Sequence, residues 1–164
     1  MTIKVGDTLP SVTLFEMTES GSQEVPIDTL TRGKRIVLFG LPGAFTPTCS
    51  AKHVPGYVSL ADTLKAERID EIACISVNDV HVMGAWAKDQ GAGGKVRMLA
   101  DGSAAFTRAI GLDMDLSARG MGVRSKRYSM LVDDGKVVSL NVEAPGKFEV
   151  SNAETMLEEI KNLK

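Results

Sequence analysis

The run Arg35-Ile-Val-Leu-Phe-Gly-Leu41 is apolar without alternation, and Pro42-Gly43 stops it at once. A strand patterned this way is covered on both faces, so it belongs in the middle of a sheet with helices above and below. Thr46-Pro47 then reads as a helix start, with threonine as the cap and proline at the first position, where its missing N–H costs nothing. The chain therefore passes from a buried strand almost directly into a helix, and Cys49 falls at the third helical position. Amides of a first turn lack partners and the helix dipole is positive there, so a thiolate is favoured at that sulfur.

The rest of the chain continues the alternation. An apolar strand spans 71–77, a helix 79–90 ends at Gly91-Ala-Gly-Gly94, a short strand covers 96–99 and a short helix 104–110. Strands at 128–132 and 136–140 flank Asp134-Gly135 as a hairpin. The helix from Thr46 is expected to bend near Pro55-Gly56, Ser151-Asn-Ala-Glu154 reads as a capping box, and the stretch 16–23 reads as a loose surface turn. This pattern predicts an α/β fold, a thioredoxin-like sandwich in which a mixed sheet carries helices on both faces. With 164 residues and no linker, one domain over 1–164 is expected.

A net charge of -2 and a pI near 5.7 argue against nucleic acid or an anionic membrane as partner, since both require a basic face. Arg119, Arg124, Lys126 and Arg127 form the one basic cluster. No segment has the apolar length of a signal peptide or a membrane span, and two cysteines are too few for a secreted disulfide framework. A cytosolic protein is expected.

Lowering a thiol's pKa from about 8.5 gains at most roughly 30-fold in thiolate at neutral pH, and weaker nucleophilicity takes part of that back. A competent thiol catalyst at Cys49 therefore needs donors that hold the second reactant and receive the charge on its leaving atom. The Thr46 hydroxyl, one turn before the sulfur, and the amides of Thr48 and Cys49 are the local candidates. If Thr46 caps the helix by accepting the Cys49 amide, that amide is less free for a ligand.

The string Pro42-Gly-Ala-Phe-Thr46-Pro-Thr-Cys49-Ser resembles the active-site loop of the peroxiredoxins, Pro-x-x-x-Thr-x-x-Cys, and of their type II subclass in particular. The similarity continues through His53-Val-Pro-Gly-Tyr57, Cys74 to Asp79, Ala85 to Lys88, Leu99 to Gly102 and Arg127 to Met130. It implies a thioredoxin-like fold and a thiol peroxidase in which Cys49 attacks the peroxide O–O bond and becomes a sulfenic acid. Glutaredoxin with glutathione, or thioredoxin, would restore the thiol. The resemblance gives Thr46 the peroxide, with Thr48 beside it, gives Pro42 the shielding of the pocket, and matches Arg127 to the family's late arginine, with Arg124 as the other candidate. It implies a homodimer and neither metal nor organic cofactor.

Other readings use the remaining residues. Cys74 lies in the apolar run 71–77 and reads first as a core thiol; as a resolving cysteine it would need its Cα within about 7 Å of that of Cys49. Two-cysteine relatives carry a resolving cysteine near the C-terminus, and none follows Glu149 here, which favours an outside thiol as reductant. His53, four residues after Cys49, could serve as a general base in a Cys–His hydrolase. Cys49, His53, Cys74 and His81 lack finger-type spacing for zinc. A non-enzymatic binding module on the same scaffold is the remaining class.

Overall fold

The computed structural model describes residues 2–163. The chain opens with a hairpin of β1 (Thr13–Thr18) and β2 (Gly21–Pro26) and a short helix α1 (Ile27–Thr31). The anticipated buried strand is β3 (Arg35–Leu41); a turn leads from it into a helix whose regular part is α2 (Val54–Lys65). Then come β4 (Glu71–Ser76), α3 (Val80–Asp89), β5 (Arg97–Ala100) and α4 (Ala105–Ala109). A small ladder of β6 (Asp113–Asp115) and β7 (Val123–Ser125) precedes β8 (Tyr128–Asp133), β9 (Lys136–Val142) and α5 (Ala153–Asn162).

The main sheet has seven strands in the order β2-β1-β5-β4-β3-β8-β9. β3 runs parallel to β4 and antiparallel to β8, so the sheet is mixed, and the fully apolar β3 lies inside it as its pattern requires. Strand geometry sends successive side chains to opposite faces. Val37, Phe39 and Leu41 accordingly join one core with Val54, Tyr57, Trp86 and Met156 from α2, α3 and α5, while Ile36 and Leu38 join the other with Leu30 of α1 and Phe106 of α4. Cys49 and Cys74 both belong to the first of these cores.

Two glycine positions are dictated by geometry. Asp134 and Gly135 take φ of 50° and 82°, the doubly left-handed turn that suits a two-residue hairpin between β8 and β9. Gly40 stands opposite Tyr128, and a Cβ there would come within 2.1 Å of the tyrosine ring. This contact seats the start of β8 against the end of β3, where the Cys49 turn begins.

The structure corrects several expectations. The stretch 16–23 is mostly paired strand, Glu16 opposite Gln23 and Thr18 opposite Gly21; its polar residues hide an edge hairpin, and only the tip is a turn. The helix after Thr46 departs from α geometry at Cys49–His53, before Pro55-Gly56, by widening into a π-helical turn. The capping box does not form. Asn152 is the N-cap of α5 without a side-chain bond, and the Ser151 hydroxyl goes to Glu143 instead.

Candidate active site

Phe45 holds a left-handed φ of 62° just before Thr46 and reverses the chain into the helix. The Thr46 hydroxyl donates to the Gly43 carbonyl at 2.7 Å, so its bond runs back into the loop rather than forward as a cap. Asn78, at the end of β4, accepts the Ala44 amide at 2.9 Å and anchors the loop to the sheet. Helix begins at Pro47, and at the next step the Val54 amide reaches back to the Cys49 carbonyl. Pro55 has no N–H to give Ala51, so the ordinary helical bond is missing where the π turn forms. The wide turn presents Cys49 and His53 to the same neighbour.

That neighbour is Arg127. It precedes β8, and the antiparallel pairing of Tyr128 with Gly40 carries it to the C-terminal end of β3. One terminal nitrogen donates to the Cys49 sulfur at 3.3 Å and the other to Nδ1 of His53 at 2.9 Å. The Phe148 ring stacks against the guanidinium at 5.7 Å. Since arginine does not give up its proton, a permanent cation faces a sulfur that is itself 0 % exposed.

His53 is fixed from both sides. Its Nε2 donates to the Ser151 carbonyl at 3.1 Å while Nδ1 accepts from Arg127, which assigns the neutral tautomer. Burial first, and the Arg127 charge second, push the imidazole from 6.5 down to about 3. A base so weak, with both nitrogens engaged away from the sulfur, does not serve a Cys–His hydrolase; that alternative is overturned. His81 sits on the exposed face of α3, and among the described residues no cluster of three metal-binding side chains forms.

A cavity of about 320 Å³ opens beside the fork, lined by Pro42, Thr48, Met114, Arg127, Val142 and Phe148. It brings Pro42 and Thr48 together with Arg127. Arg127 is thus shared between the cavity wall and the buried sulfur.

The Redoxin family model matches residues 4–157. Peroxiredoxin-2B of Arabidopsis thaliana is 47% identical over 156 residues, covering 94% of this chain and 96% of that protein. Chloroplastic peroxiredoxin-2E of the same plant is 52% identical over 159 residues, covering 94% and 68%. The crystal structure of reduced Prx3 from Vibrio vulnificus in complex with hydrogen peroxide superposes with a TM-score of 0.94 at 53% identity, covering 97% of this chain and 99% of that one. The chain belongs to the peroxiredoxins. It is a type II member with a thioredoxin-like fold and a thiol-dependent peroxidase, whose substrate is a peroxide and whose reductant is a thiol.

In this peroxiredoxin the second thiol has a different setting. Cys74 faces the same core from β4, is 0 % exposed, and its pKa is raised well above the usual thiol value, chiefly by burial and then by the nearby Cys49. Arg124, on β7, donates to the carbonyls of Met121 at 2.9 Å and Pro42 at 3.3 Å, so it braces the loop rather than touching the sulfur. Trp86 donates from Nε1 to the Ser50 hydroxyl at 3.1 Å and ties α3 to the Cys49 turn. The loop after β9 supplies Glu143, Phe148 and the Ser151 carbonyl, and its sequence carries no signal for these roles. The Ala144-Pro-Gly146 segment looks like any surface turn, and backbone carbonyls leave no trace in sequence.

Proposed function

We propose that Cys49 is the peroxidatic thiol. Its thiolate attacks the terminal oxygen of R–O–O–H, the S–O bond forms as the O–O bond breaks, and the departing alkoxide or hydroxide takes up a proton to leave as alcohol or water. Cys49 is left as a sulfenic acid. A reductant thiol then displaces water from that sulfur to form a mixed disulfide, and a second thiol releases Cys49 reduced. The observation that carries this reading is the Arg127 fork, a cation in the cavity wall that stands 3.3 Å from the buried sulfur. It favours the thiolate before reaction and the developing oxyanion during it.

Pro42 closes the cavity against water and Thr48 lines the path of the peroxide. Thr46 gives its proton to Gly43, so its lone pairs are what it offers a peroxide O–H. The parallel with the Vibrio vulnificus protein, crystallised with hydrogen peroxide, supports the substrate class. For the reductant we favour an outside dithiol or glutathione system, glutaredoxin or thioredoxin, because the buried, pKa-raised Cys74 is poorly suited to attack. A homodimer joined near the active-site loops agrees with exposed Phe45 and Val142 on that side, and two free thiols suit a reducing compartment such as the cytosol.

The test is peroxide consumption by the native protein and by Cys49→Ser, run side by side with the glutaredoxin/glutathione and thioredoxin systems. Turnover with at least one system, abolished in Cys49→Ser, is the expected outcome. Retained turnover in Cys49→Ser would refute the assignment.

A further inference from the structure

We propose that Glu143 is a positioning residue for the peroxide reaction, holding Arg127 against Cys49 through the Ser151 carbonyl and His53. The inference rests on Cys49 being the reacting thiol.

Glu143 lies at the end of β9, only 7% exposed, and its carboxylate gathers one whole turn of chain. It accepts the amides of Glu149, Val150 and Ser151, each within 2.8–2.9 Å, and the Ser151 hydroxyl at 2.7 Å. Burial by itself would raise this carboxyl, yet the bonds from Glu149, Ser151 and Val150 hold it below its ordinary value. Four donors converging on one carboxylate leave residues 149–151 a single conformation.

That conformation aims the Ser151 carbonyl inward. It accepts Nε2 of His53 at 3.1 Å and the Tyr57 hydroxyl at 2.9 Å. An imidazole that donates from Nε2 must accept at Nδ1, and there it receives Arg127 at 2.9 Å. Without the carbonyl, His53 is free to take the other tautomer, whose Nδ1–H would oppose the guanidinium. The second Arg127 nitrogen would then lose its hold on the sulfur. The same loop supplies Phe148 under the guanidinium, and the Glu143 amide donates to the Arg127 carbonyl at 2.9 Å, so backbone and side chain of Arg127 are both tied to the element that Glu143 organises. Glu143 lines the cavity, but its carboxylate bonds residues 149–151 rather than the sulfur or the guanidinium, so it acts through the histidine.

The decisive experiment is a double-mutant cycle of Glu143→Gln and His53→Gln, read by the second-order rate with hydrogen peroxide and by the ultraviolet titration of the Cys49 thiolate, with Cys49→Ser as the blank. In Glu143→Gln an amide N–H₂ faces donors, and the rate should fall by about tenfold or more, inside the roughly 100-fold that misplacing a catalytic group costs. The thiolate titration should move to higher pH. The double variant should be no slower than the slower single, because both act on one linkage. Ser151→Ala removes one of the four donors and should move both readouts the same way, by a smaller factor; it decides the matter if Glu143→Gln does not fold. Unchanged rate and titration in these variants, or fully multiplicative losses in the double, would overturn the inference. Activity surviving in Cys49→Ser would instead overturn the assignment beneath it.

Discussion

Cys49 and Cys74 are two thiols of one core, both fully buried, yet they are chemically unlike. Cys74 stands in mid-strand, opposite Phe39 on β3 and Met98 on β5, and burial first, then nearby Cys49, raises its pKa well above the usual value, with Arg127 offsetting only part of this. Cys49 has an Arg127 nitrogen at 3.3 Å and the first turns of a helix around it. Burial alone makes a thiol inert. On the proposed assignment, what separates a reactive buried cysteine from a packed one is a cation that burial cannot neutralise, delivered here by the alignment of β8 on β3.

The contrast can be broken most directly by exchanging each sulfur for oxygen. Cys49→Ser should drop peroxide turnover to background while leaving denaturant stability nearly unchanged, because the hydroxyl still accepts from Arg127. Next in size is Arg127→Ala, which should slow the peroxide step roughly 100- to 1,000-fold, the cost of removing a donor aimed at developing charge. Arg127→Lys keeps the charge but not the fork and should fall between, by stopped-flow kinetics. Equal rates for Arg127→Ala and native protein would remove the cation from the account.

Cys74→Ser should show the inverse of Cys49→Ser. Turnover should stay within about twofold, while equilibrium unfolding should report a loss of about 1–3 kcal/mol for a buried hydroxyl without a partner. Loss of turnover with every reductant would make Cys74 part of the cycle after all.

A further effect concerns acid stability. His53 titrates near 3 in the fold against 6.5 when free, so the unfolded chain binds the extra proton between those values. Its contribution is complete above pH 6.5 and is lost as pH falls toward 3. Glu143, also lowered in the fold, adds a loss that begins only near its ordinary 4.5. Denaturant midpoints should therefore begin to decline near pH 6.5 in the native protein, and only in the carboxylate range in His53→Gln. The same onset in both would mean that His53 is not the group responsible.

Much of this was legible in the chain because local rules and tertiary structure agree. The unbroken apolar β3, the Pro42-Gly43 stop, Pro47 at a helix start and Asp134-Gly135 between two strands each carry their own physical signal. What escaped was non-local or polar. The β1–β2 hairpin is an edge pair rich in polar residues, so the alternation that marks a half-buried strand is weak there. His53 looked like a base because spacing along a helix cannot show that a loop carbonyl nearly a hundred residues later claims its other nitrogen. Glu143 and Phe148 were invisible for the same reason. The capping box failed because Ser151 found a stronger, charged acceptor in Glu143.

Exposure to excess peroxide without reductant, followed by peptide mass spectrometry, tests the central claim most directly, since it asks which sulfur reacts. Sulfinic and sulfonic acid should accumulate on Cys49 while Cys74 is recovered as free thiol. Oxidation of Cys74 with Cys49 left intact would contradict the assignment of Cys49, opposite Arg127, as the reacting thiol.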